Sequence, residues 1–120
     1  MTPAVPAHGT LRNGRDIART LRTSRQRAGR LVVLHTVTRE DEDVARVAVV
    51  ASRRVGGAVA RNRAKRLLRE AVRHTGLRPG HDLVLVARAA CARSGLVAVH
   101  DELRQLAHQL GLLEVEEACR

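Results

Sequence analysis

Apolar residues recur along the chain in two rhythms, one with the period of a helix and one compact enough for strands, and together they lay out its elements. Ile17 and Leu21 stand four apart within Asn13 to Arg22, where Asn13 is placed to cap a helix and Asp16 falls in its first turn. Two β-branched runs follow, Leu31 to Thr38 and Val44 to Ala51, each of strand length. The acidic cluster Glu40 to Asp43 between them reads as a solvated turn, so the two runs are expected to pair back as an antiparallel hairpin.

The segment from Ala58 to His74 is the clearest helix. At roughly 100° per residue, Ala60, Ala64, Leu67, Leu68, Ala71 and Val72 fall on one stripe, and Gly76 with Pro79-Gly80 ends the element. Asp82 to Ala87 shows no alternation, which predicts a strand buried on both faces. Leu96, Val99, Leu103, Leu106 and Leu110 then make a stripe spaced by three and four, with Gly111 placed to stop the helix.

Punctuation divides the chain in three. Pro3, Pro6 and Gly9 mark residues 1–10 as an unstructured leader, residues 11–113 form one folded domain, and residues 114–120 are expected to be a frayed acidic tail. A chain of 120 residues accommodates one core of ordinary size. With no Phe, Tyr or Trp, that core must be aliphatic, and the aromatic platforms on which many single-strand readers stack bases are missing.

Charge changes the picture most. Lys and Arg number 22 against 12 Asp and Glu, a net +10, which makes a polyanion the first partner to consider. Between Arg53 and Arg78 there are nine basic residues and one acid, Glu70, so this segment alone carries +8. Asn62, Arg66, Arg69 and Arg73 gather on the side of the long helix opposite its apolar stripe, flanked by Arg63 and Lys65. A solvated helix face usually carries acids at i,i+4 to its bases; this one lacks them, so its cations repel one another unless a polyanion compensates them.

Other chemistries find little support. Cys91 and Cys119 form no metal-binding or disulfide framework, and the six histidines are scattered, so no metal or cofactor site is expected in the protein. Asp82 and Glu70 are better read as structural carboxylates than as an acid/base pair. No apolar run has the length of a signal peptide core or a membrane span, and the basic helix offers no large apolar anchors for a membrane surface.

The ordered string Arg53-Arg54-Val55-Gly56-Gly57-Ala58-Val59-Ala60-Arg61-Asn62-Arg63-Ala64-Lys65-Arg66-Leu67-Leu68-Arg69-Glu70 resembles the signature of the bacterial ribonuclease P protein component. Leu11-Arg12 with Asp16-Ile17, and Gly80 through Arg88, extend the resemblance over the folded part. It implies an α+β fold, a single-domain α/β sandwich of order helix, strands, helix, strand, helix. A left-handed crossover carries the basic helix, as in the second domain of a small-subunit ribosomal protein, against the usual right-handed preference.

The resemblance further implies an auxiliary subunit of an endoribonuclease that removes the 5′ leader from precursor tRNA in the cytoplasm. The RNA subunit carries the chemistry with Mg2+, the protein contributes no catalytic residue, and one protein is expected per RNA. The protein would broaden the range of substrates and lower the magnesium requirement. Arg53, Arg54, Arg61, Asn62, Arg63, Lys65, Arg66, Arg69 and Arg73 would bind the catalytic RNA, and a cleft with Ile17, Arg19, Leu21, Arg22 and His35 would hold the leader. Ile17, Leu21 and His35 stand where the family's cleft usually has aromatics, and Gly57 stands where it commonly has Asn. A purely structural RNA-binding protein of ribosomal type would share the charge and the fold, but has no need of the ordered Arg-Asn-Arg string.

Overall fold

The strand read as doubly buried lies at the centre of the sheet. In a computed structural model that describes residues 8–23 and 25–114, the elements run β1 (His8–Thr10), α1 (Gly14–Thr23), β2 (Arg25–Ala28), β3 (Val32–Thr38), β4 (Ala45–Val50), α2 (Ala58–Arg73), β5 (His81–Ala87) and α3 (Leu96–Gln109). They form one five-stranded sheet in the order β1-β4-β5-β3-β2. β5 is antiparallel to β3 and parallel to β4, and Leu83, Val84 and Leu85 at its middle are fully enclosed.

The expected hairpin between β3 and β4 does not form. β5 inserts between them, and each run pairs with β5 instead of with the other. The physical reason is that a strand apolar on both faces needs backbone partners on both edges as well, and only a central position supplies them. β4 and β5, being parallel neighbours, require a crossover connection, and α2 is that crossover.

Two further strands lie where none was expected. His8–Thr10, placed by the sequence pattern in an unstructured leader, pair in parallel with Ala45–Val47. Three residues are too few to show a period, and backbone pairing alone draws them onto the sheet edge. Arg25–Ala28, a polar stretch by composition, pair antiparallel with Val33–Thr36; all four residues are exposed, and Arg25 donates to the Leu110 carbonyl at 2.6 Å. The remainder of the leader and residues 115–120 of the expected tail lie outside the described residues, while the Glu114 N–H is held by the Gly76 carbonyl at 3.0 Å.

Alternation assigns the two sheet faces. Val32, Leu34, Ala45, Val47, Leu83 and Leu85 pack with Ala64, Leu68, Ala71 and Val72 of α2 and with Val99, Leu103, Leu106 and Ala107 of α3 in the main core. Ala48 and Val84 point the other way and join Leu11 and Ile17 beneath α1 in a second, smaller cluster. α1 starts as its sequence implies, with the Asn13 side-chain oxygen accepting the Arg15 N–H at 2.8 Å, and α3 ends at Gly111, whose φ of +73° suits glycine.

Asp82, the second residue of β5, is buried, and Arg46 grips it with two bonds of 2.8 Å and Arg39 with a third of 2.8 Å. Arg39 also donates to the Asp41 carboxylate and to the carbonyls of Asp43 and Val44. The acidic turn is thereby tied to the sheet through Asp41, leaving Glu40 and Glu42 exposed.

Candidate nucleic-acid interface

The segment leading into α2, which the two glycines mark as a flexible loop, is ordered. Arg53–Val55 form a 3-10 turn capped by Ser52, whose hydroxyl accepts the Arg54 N–H at 3.2 Å, and Val55 is buried beneath it. Gly56 follows at φ +141°, where a Cβ would also meet the Ala60 methyl at 2.9 Å. This turn sets Arg53 and Arg54 on the surface beside the start of α2. Gly57 then caps α2 with no side-chain acceptor, so the positive end of the helix dipole stays open on the same side.

Along α2 the sequence-predicted face is realised. Asn62, Arg66, Arg69 and Arg73 are exposed, and Arg61 and Lys65 are half-buried at its margin. Arg66 and Arg69 make no ion pair or side-chain hydrogen bond among the described residues. Glu70, the single acid, is engaged with His74 at 3.0 Å and Arg73 at 3.3 Å. Arg63 differs from its neighbours: its guanidinium donates to the carbonyls of Ala92 at 2.7 Å and Ser94 at 3.2 Å, closing α2 onto the turn before α3. It is a structural tie whose outer edge alone remains available.

The second candidate surface lies on the opposite sheet face. Strand register aligns Gln26, His35, Val84 and Ala48 in one row and Ala28, Val33, Val86 and Val50 in the next. Ile17 packs at the edge of this face, Leu21 is 38% exposed, and Arg19 and Arg22 are exposed on α1. His35 is half-buried, and that burial lowers its pKa below the ordinary 6.5, so the ring is neutral at pH 7. The surface is aliphatic, with one neutral imidazole and a basic flank.

Sequence reasoning missed where the two surfaces meet. A recess of about 670 Å³ gathers Arg30, Arg54, Arg88 and Arg93 over Val33 and Val86, with Arg88 held by the Gly29 carbonyl at 3.2 Å. These arginines come from four separate segments; Arg54 stood out within the ordered basic string, whereas Arg30 and Arg93 carried no local signal that would place them beside it. Among the described residues no carboxylate lines this recess, so the charge of the α2 lead-in continues around the end of the sheet.

Among the described residues no group of His, Cys, Asp and Glu could hold a metal ion, and no helix is long and apolar enough to cross a membrane. Cys91 is buried, which raises its thiol pKa above the ordinary value.

Comparison with known proteins agrees with this geometry. The family model described as Ribonuclease P matches residues 5–111. The ribonuclease P protein component of Dehalococcoides mccartyi is 40% identical over 100 residues, covering 83% of this chain and 80% of the relative. That of Clostridium acetobutylicum is 31% identical over 110 residues, covering 89% and 92%. Among solved structures, the Staphylococcus aureus RNase P protein superposes with a TM-score of 0.73 at 21% identity over 88% of this chain and 97% of that one. The Thermotoga maritima RNase P protein superposes with a TM-score of 0.70 at 24% identity over 80% and 92%. At such identities these two structures speak to the fold.

Proposed function

Because the chain belongs to the ribonuclease P protein family, we propose that it is the RNA-binding subunit of a cytoplasmic ribonucleoprotein that releases the 5′ leader of precursor tRNA. The observation that carries this reading is the exposed, uncompensated face of Asn62, Arg66 and Arg69 on α2, continuous with Arg53 and Arg54. Guanidinium forks suit phosphate oxygens, and Asn62 is placed among them to contact a base edge or a sugar.

In this reading the RNA subunit performs the metal-assisted hydrolysis and one protein binds each RNA. The protein's cations take over part of the phosphate neutralisation that Mg2+ otherwise supplies, which lowers the magnesium requirement. The α1 side of the sheet, with Ile17, Leu21 and His35, receives the leader through aliphatic contact and the flanking Arg19 and Arg22. By engaging a strand shared by all precursors, the protein broadens the range of substrates.

The test is affinity for the ribonuclease P RNA against a shuffled RNA of equal length across a salt series. Preferential binding of the ribonuclease P RNA with a steep salt slope, roughly 0.7 to 0.9 per phosphate contacted, supports the reading. Equal affinity for both RNAs contradicts it and favours a general RNA-binding role.

A further inference from the structure

A cavity of about 360 Å³ lies at the β1 edge of the sheet, between α1 and the last turns of α2. Its floor is aliphatic, with Ile17, Val47 and Val72, and its charged lining consists of His8, Arg69 and Arg73. Among the described residues no carboxylate lines it. Strand register explains why His8 is there: it sits opposite Ala45 and Thr10 opposite Val47, on the sheet face that α2 covers.

Among the described residues His8 Nδ1 is the one buried side-chain nitrogen or oxygen with no hydrogen-bond partner. Leaving such an atom unpaired costs free energy that a ligand's acceptor would recover. Among the described residues Arg69 has no partner either, and Arg73 makes one contact, of 3.3 Å, to Glu70. An anion-shaped need, two cations and one buried polar atom lining a largely apolar pocket, is thus left unmet among the described residues.

We infer that this cavity is a pocket for one nucleotide of bound RNA, its phosphate held by Arg69, Arg73 and protonated His8 and its base set on the aliphatic floor. The inference rests on the RNA-binding reading above and adds to it a subsite and a pH response. Without a ligand, burial first and the charge of Arg73 second keep the His8 pKa below the ordinary 6.5. A phosphate at the site reverses the second influence and draws a proton onto the ring. Of the carboxylates on the elements packed around the cavity, Glu70 of α2 is held by His74 and Arg73, and Asp16 of α1 lies 3.7 Å from Arg46 of β4.

The test follows the His8 imidazole by NMR in the full chain, assigned with His8→Gln, while uridine 5′-monophosphate and, separately, inorganic phosphate are added. The expected result is a saturable shift of the His8 ring and a rise in its pKa with the nucleotide, weakened about tenfold in Arg69→Gln. An equal response to inorganic phosphate alone confines the site to the phosphate and overturns the base placement. A ring unmoved at millimolar nucleotide, or moved equally in Arg69→Gln, overturns the pocket. In a second arm, affinity for the ribonuclease P RNA rises about threefold more between about pH 8 and about pH 6 in the parent chain than in His8→Gln. Equal pH responses overturn the inference while leaving the RNA-binding reading intact, whereas loss of all preference for this RNA contradicts that reading and leaves the nucleotide titration to judge the cavity.

Discussion

Glu102 on α3 places one carboxylate oxygen 2.7 Å from the backbone N–H of Leu31, and the same group accepts the N–H groups of Val32 at 2.9 Å and Arg30 at 3.1 Å. One acid thereby satisfies three backbone donors at the entry to β3 and fastens α3 to the sheet. The approach is so close that a Cβ on Gly29 would collide with the Glu102 carboxylate. Glu102→Ala should cost about 1–3 kcal/mol in urea unfolding, since partly buried donors lose their acceptor. Gly29→Ala should be destabilising alone and nearly harmless in the Glu102→Ala background, a coupling that a double-mutant cycle reads directly. Additive effects would contradict the contact.

Asp82 should be the most damaging surface-adjacent carboxylate to remove. It is 3% exposed and holds both Arg39 and Arg46, so Asp82→Ala removes three charge-assisted hydrogen bonds at once; because Arg39 keeps Asp41 and Arg46 is 39% exposed, the cost should be about 3 kcal/mol, the lower end for breaking a buried pair. The pH dependence follows in sign. Burial raises its pKa, but the bonds from Arg46 and Arg39 outweigh that and hold it below the ordinary 3.8. Its stabilisation is therefore complete above pH 3.8 and lost as pH falls from there toward the folded-state value. Chemical denaturation of the parent chain and of Asp82→Asn between neutral and acid pH checks this: the gap between them should close on acidification.

The arginines of α2 should separate into two kinds. Arg66→Ala and Arg69→Ala should each reduce the log–log salt slope of RNA binding by about one phosphate's worth and leave thermal stability nearly unchanged. Arg63→Ala should instead lower the melting temperature, because it releases the carbonyls of Ala92 and Ser94. A salt slope unmoved by either of the first two substitutions would remove those residues from the interface.

That division was only half legible in the sequence. The 3.6-residue period gave α2 its buried stripe of Ala64, Leu68, Ala71 and Val72 and its basic outer face, but period cannot tell a free arginine from one reaching another segment, as Arg63 does. Asp82 to Ala87 announced a central strand by its lack of alternation, yet strand pattern does not name strand partners, and sequence proximity pointed wrongly to a β3–β4 hairpin. β2 escaped because Arg25, Gln26, Arg27 and Ala28 are all exposed and are held by backbone pairing. Arg30, Arg88 and Arg93 converge only through tertiary folding, so no local signal could have joined them with Arg54.

The leader surface makes a gain-of-function prediction. His35 lies in register with Gln26 and Val84 on the open sheet face, where a ring could stack on a base. Base–aromatic stacking is worth roughly 1–3 kcal/mol, so His35→Tyr or His35→Phe should tighten binding of a leader-bearing precursor about tenfold and leave binding of leaderless tRNA unchanged. Unchanged or weaker affinity for the precursor would move the leader elsewhere.

The most direct test of the account is cleavage of a 5′-leader-bearing precursor tRNA at low magnesium, with the protein alone, with the ribonuclease P RNA of the same organism alone, and with both. The account predicts correct 5′-end release by the mixture, far faster than by the RNA alone and none by the protein alone. Equal rates with and without the protein, despite salt-sensitive RNA binding, would contradict it.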